Sequence, residues 1–87
     1  MSEYMALSQL KVGDTLVVRS VKVRDEGMRQ RLCDIGVVEN TKIRCVMVSP
    51  LGDPKAYSIR GAIIAVRYED ADGILGERVR CSYDNTP

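Results

Sequence analysis

Apolar and polar residues alternate over short stretches of this chain, and helical spacing appears only once. From Thr15 to Val23 the pattern is that of a strand, yet Leu16 and Val18 fall on one parity while Val21 and Val23 fall on the other. Period-two alternation puts a whole face in water when it slips, so a change of parity marks a bulge or sharp coil, here near Arg19-Ser20, where a strand bends around a small barrel. Met28, Leu32 and Ile35 then recur at i, i+4 and i+7 and predict a short helix over Gly27 to Ile35. Gly36 is its natural stop, since glycine accepts the left-handed conformation that satisfies the last carbonyls. Arg29, Gln30, Cys33 and Asp34 face outward on that helix, with Arg31 on the flank of the apolar stripe.

Further along, Thr41, Ile43, Cys45 and Met47 alternate with Lys42, Arg44, Val46 and Val48 and predict a second strand, whose first face, ending in Met47, is apolar and whose second face becomes apolar toward its end. Tyr57 and Ile59 mark a third, Arg60-Gly61 a tight reversal, and Ile63 to Arg67 a fourth. Glu69 to Ala71 suits one helical turn before Gly73, and Arg78 to Cys81 suits a last edge strand. Glu39-Asn40 falls between the helix and the next strand, and asparagine there tolerates a positive φ. The ordered pattern begins near Leu7, with Ser8 able to cap a short turn. This divides the chain into a flexible segment 1–6, a domain over 7–81 and a frayed tail 82–87. Five or six short strands with one short helix fit a mainly β fold, a small, partly open barrel, better than a doubly wound sheet or a sandwich. Val18, Val21, Leu32, Ile35, Ile43, Ile59 and Val66 are its expected core.

One connection stands apart. Between two β-branched runs lies Ser49-Pro50-Leu51-Gly52-Asp53-Pro54, in which two prolines bracket a glycine. Each proline fixes its own φ, Pro54 restricts Asp53, and Gly52 is free to take a positive φ. A simple connector needs no such stiffness.

Composition narrows the chemistry. The chain has 87 residues, 45% hydrophobic and 29% charged with a net charge of +1, which is one small globular domain without a strong pull toward nucleic acid or lipid. No apolar run approaches the roughly 20 residues of a membrane span, and no basic-then-apolar leader is seen, which points to the cytoplasm. Three cysteines, Cys33, Cys45 and Cys81, are odd in number and widely spaced, so reduced thiols are expected. There is no histidine, which removes the usual general base and the commonest transition-metal ligand. No phosphate-cradling glycine loop and no activated nucleophile occur, and Glu69, Asp70 and Asp72 read as a solvated acidic turn. The expectation is a non-enzyme with neither cofactor nor resident metal.

In order along the chain, Leu7 to Asp14, Arg31 to Gly36, Pro50 to Pro54, Ile59 to Gly61 and Ala65 to Arg67 resemble the FeoA family of ferrous iron transport accessory proteins. The five ordered segments span about Leu7 to Ile74. The resemblance implies an SH3-like barrel and, as partner, the membrane iron transporter FeoB, whose G domain hydrolyses GTP. It also implies kinship of fold with the C-terminal domain of some DtxR-like metal-dependent repressors. The expected function is that of a small cytosolic adaptor that binds FeoB and supports its assembly or activity in Fe(II) uptake. Pro50, Leu51, Gly52, Asp53 and Pro54 are the expected contact loop, with Leu51 as apolar anchor and Arg29 and Arg31 as charged contacts. An arginine-finger role for either arginine, a weak homo-oligomer, and a metal-responsive regulatory module acting in trans on a repressor stay open. RNA binding is disfavoured, since only four tyrosines and neither phenylalanine nor tryptophan are available for base stacking.

Overall fold

A computed structural model of the chain describes residues 2–79. Its elements are β1 (Ser2–Ala6), a 3-10 turn (Leu7–Gln9), β2 (Thr15–Val21), α1 (Glu26–Ile35), β3 (Lys42–Val48), β4 (Lys55–Ile59), β5 (Ala62–Val66), α2 (Tyr68–Ala71) and β6 (Ile74–Val79). The strands form one antiparallel six-stranded sheet in the order β1-β6-β2-β3-β4-β5. It curls as a small barrel does but is left open, with β1 and β5 as its edges. The mainly β fold with a single helix of more than one turn agrees with the pattern of the chain.

The expected break in β2 is present as a register shift between Val18 and Ser20 against β6. Leu16 and Val18 are thereby buried, while Val21 packs half-buried against the same core. Helix α1 begins one residue earlier than its apolar stripe suggested, because the Asp25 carboxylate accepts from the N–H groups of Gly27 at 2.9 Å and Met28 at 3.2 Å and so caps the first turn. The helix ends as expected. Gly36 has φ 121°, its N–H reaches the Cys33 and Leu32 carbonyls, and the Val37 N–H donates to Leu32 O at 2.8 Å, completing a Schellman motif. A Cβ at Gly36 would also lie 2.3 Å from Arg60 Cδ, so the exposed Arg60 side chain would have to swing aside in addition to the cost of the positive φ. Asn40 takes the positive φ, 75°, for which asparagine is suited.

Three expectations are corrected. Residues 2–6 are not a loose lead-in: β1 pairs along its whole length with β6, from Ser2 opposite Val79 to Ala6 opposite Leu75. The last strand is accordingly not an edge, for β6 lies between β1 and β2. It starts at Ile74, and Gly76 admits close passage of β2, where a Cβ would stand 2.1 Å from the Val17 carbonyl oxygen. Met47 leaves the buried face of β3, at 59% exposure, because a bulge between Cys45 and Met47 shifts the register against β4. Arg80, Cys81 and the tail 82–87 lie outside the described residues.

Leu7, Leu10, Leu16, Ile43, Tyr57, Ile59 and Ile74 are fully buried and form the centre of the core. Leu32 and Val66 close it from α1 and β5, and Ile35 packs at its margin. The 3-10 turn is fastened to the end of β1 and to the turn between α2 and β6. Gln9 Oε1 accepts from the Ala6 N–H at 3.1 Å, and the buried Ser8 hydroxyl donates to Asp72 Oδ1 at 3.0 Å.

Candidate partner-docking surface

The β3–β4 connection is a braced loop. Gly52 N–H donates to Ser49 O at 2.8 Å, which makes Ser49 to Gly52 a β-turn with proline at its second position. Ser49 N–H donates to Pro54 O at 3.2 Å and closes the loop at its base, where the Asp53–Pro54 peptide is cis. Two further ties hold it to the body. Asp53 Oδ1 accepts from the Tyr68 N–H at 2.7 Å, satisfying one of the open donors at the start of α2. Just past the loop, Lys55 Nζ donates to Ser8 O at 2.7 Å and to Leu10 O at 2.9 Å.

Pro50, Gly52, Asp53 and Pro54 are exposed, and Leu51 at the tip is 93% exposed. An isolated exposed leucine is common on protein surfaces; this one is carried on a turn whose loop and base are held by five hydrogen bonds. The recess under the loop, between Gly52, Tyr57 and Tyr68, measures about 10 Å³ and admits nothing larger than a water.

Arg29 and Arg31 are both exposed, but they look into different hollows on the two sides of α1. Arg29 lines a broad depression of about 750 Å³ with Val21, Val37 and Val38. Arg31 lines a groove of about 410 Å³ between α1 and β5, floored by Leu32 and Ile64, to which Arg67 and Asp70 also contribute. Arg67 and Asp70 flank Tyr68, the residue tied to Asp53, so the Arg31 groove adjoins the loop through α2 while the Arg29 depression does not. Among the described residues, neither arginine forms an ion pair. This groove was missed by the sequence reading. Its signal was the uncharged run Ala62 to Val66, the one strand without a polar face.

Two ionisable side chains, Cys45 and Tyr57, lie buried in the interior. Burial pushes the Cys45 thiol up from its ordinary value, partly offset by Lys55, and burial followed by the nearby Cys45 and Asp53 pushes the Tyr57 phenol up as well. Both are held neutral, and the Tyr57 hydroxyl donates to Leu7 O at 3.4 Å. Cys33 is an exposed free thiol. Among the described residues, no three of the histidine, cysteine, aspartate or glutamate class gather where they could hold a metal ion. Nor is any helix there long and apolar enough to cross a membrane.

Residues 5–78 match the model of the FeoA domain. The structure is similar to that of the FeoA protein from Chlorobium tepidum, with 37% identity and a TM-score of 0.76 over 83% of this chain and 69% of that one. It is similar also to FeoA from Stenotrophomonas maltophilia, solved with zinc and described as a prokaryotic SH3 domain protein, at 27% identity and a TM-score of 0.71 over 80% of this chain and 86% of that one. A manganese-dependent transcriptional repressor shares the fold at 19% identity, with a TM-score of 0.77 over 87% of this chain and 37% of that one. Among curated proteins, no relative matches the chain.

Proposed function

Because this chain belongs to the FeoA family, whose members serve ferrous iron transport, we propose that it is a cytoplasmic adaptor that docks on the cytosolic region of the iron transporter FeoB. It acts there by binding, without chemistry of its own. The observation that carries this reading is Leu51, almost wholly exposed at the tip of a loop held by backbone and side-chain hydrogen bonds. An apolar side chain on a preordered turn loses little entropy when a partner buries it, so its transfer from water counts nearly in full toward affinity. Arg31 is the charged contact the loop reaches most readily, since its groove adjoins the loop through α2. The repressor likeness, at 19% identity, speaks for the fold alone and supports no regulatory role.

Leu51→Asp tests the reading. A carboxylate at the anchor should weaken association with the cytosolic fragment of FeoB by roughly 1 to 3 kcal/mol, measured by titration. The melting curve should barely move, because Leu51 packs against nothing in the isolated domain. Unchanged affinity with unchanged melting rejects the loop as the contact. Two companion measurements bear on the absence of chemistry: elemental analysis of the desalted protein should find no stoichiometric metal, and the isolated chain should not hydrolyse GTP. One zinc per chain, or turnover above a buffer control, would contradict the adaptor reading.

A further inference from the structure

Strand β5 is an open edge of the sheet, and α1 faces it across the groove of about 410 Å³. The two-residue hairpin at Arg60-Gly61 makes Ile59 and Ala62 a hydrogen-bonded pair, and the alternation of an antiparallel ladder then turns the N–H and C=O groups of Ile63 and Ala65 away from β4. No other strand takes them up among the described residues. Proteins ordinarily blunt such an edge with charge, proline or a bulge. The opposite edge follows that rule, for Glu3 on β1 is engaged by Arg78. Ala62 to Val66 carries none of these devices, and Ile63 on it is 67% exposed.

The groove beside this edge has one apolar wall on each side, Ile64 and Val66 of β5 against Met28 and Ile35 of α1. Its charges are Arg31 and Arg67 against the single Asp70, and none of the three is in an ion pair among the described residues. A sheet edge with free backbone groups, a facing helix with apolar side chains, and an excess of unpaired guanidinium together define what fits. We propose that β5 and α1 form a receptor for an extended peptide segment of another protein. That segment adds to β5 as a seventh strand, sets alternate apolar side chains between Ile64 and Met28, and carries carboxylates to Arg31 and Arg67. A second copy of this chain is the poorer occupant, because its β5, Ala62 to Val66, carries no carboxylate to offer Arg31 and Arg67. This receptor is independent of Leu51.

The test is a titration of isotope-labelled protein with a short synthetic peptide that alternates valine and threonine at its centre and ends in glutamates, read by amide resonances and hydrogen exchange. The Ile63 and Ala65 amides should slow by at least about tenfold on binding, and the resonances of Met28 and Ile35 should shift. The same peptide ending in lysines should bind at least about tenfold more weakly, and Arg67→Glu should weaken the glutamate peptide to a similar degree. Ala65→Pro removes one outward N–H while leaving the ladder to β4, and should abolish protection at Ile63. If that variant does not fold, the Arg67→Glu comparison decides alone. Leu51→Asp should leave the titration unchanged, which separates failure of this proposal from failure of the loop contact. The proposal is overturned by absence of protection at Ile63 and Ala65, by equal binding of the two peptides, or by protection that rises with protein concentration without peptide, as pairing of two copies would give.

Discussion

Leu32 shows what a single residue carries in so small a domain. It is the one fully apolar side chain that α1 places in the core, at 2% exposure, and the rest of the helix surface is polar or half-buried. Leu32→Ala should therefore cost about 2 to 5 kcal/mol, much of the stability available to a chain of this length, and denaturant titration should show it. A loss under about 1 kcal/mol would mean that α1 is not anchored through Leu32. Cys45 and Tyr57 make the fold sensitive to alkali. Both acids are held above their ordinary values by burial, so their neutral forms favour the native state. Their contribution is complete below the ordinary thiol value of 9.0 and is lost as pH rises through the folded value, with the phenol following above its ordinary 10.0. Stability should stay level from neutral pH to about 9 and then fall, and Cys45→Val should flatten the first part of the fall. A profile that is level or rising above that pH in the wild-type protein would contradict the buried, neutral thiol.

Elements were legible in the sequence where local chemistry defines them. The α1 stop at Gly36, the reversal at Arg60-Gly61 and the break in β2 each rest on residues adjacent in the chain, and each stands where it was expected. Pairings between distant strands were not legible. Nothing in Ser2 to Ala6 announces a strand whose partner lies more than sixty residues away, and β6 was taken for an edge because β1 was taken for a loose end. The two errors are one. Met47 was misplaced for a related reason, since a bulge is fixed by the neighbouring strand rather than by its own sequence. The pairing has a measurable consequence. Deleting residues 1–6 removes the whole β1 ladder, the buried Ala6 and the Glu3–Arg78 ion pair, and should lower the melting temperature by at least about 5 °C. An unchanged melting temperature would return that segment to the status of a dispensable lead.

At the scale of the whole molecule, the class of fold was readable from short alternating runs and turn spacing, and the candidate surface only in part. The Pro50 to Pro54 loop announced itself by composition. The β5–α1 groove did not, because its two walls come from Met28 to Ile35 and Ile64 to Asp70, brought together only by the curl of the sheet. The place of β6 between β1 and β2 also bears on how the protein is made. A ribosome delivers the strands in chain order, so β3, β4 and β5 can zip into hairpins as they emerge, while β1 has no partner and β2 lacks its most extensive one until the final strand has left the exit tunnel. A stalled chain ending near Gly73 should thus hold a formed β4–β5 hairpin and an exposed, protease-sensitive amino-terminal third. Release of Ile74 to Val79 should convert it to the resistant domain in one step, so that newly made copies fold only after the last strand is delivered.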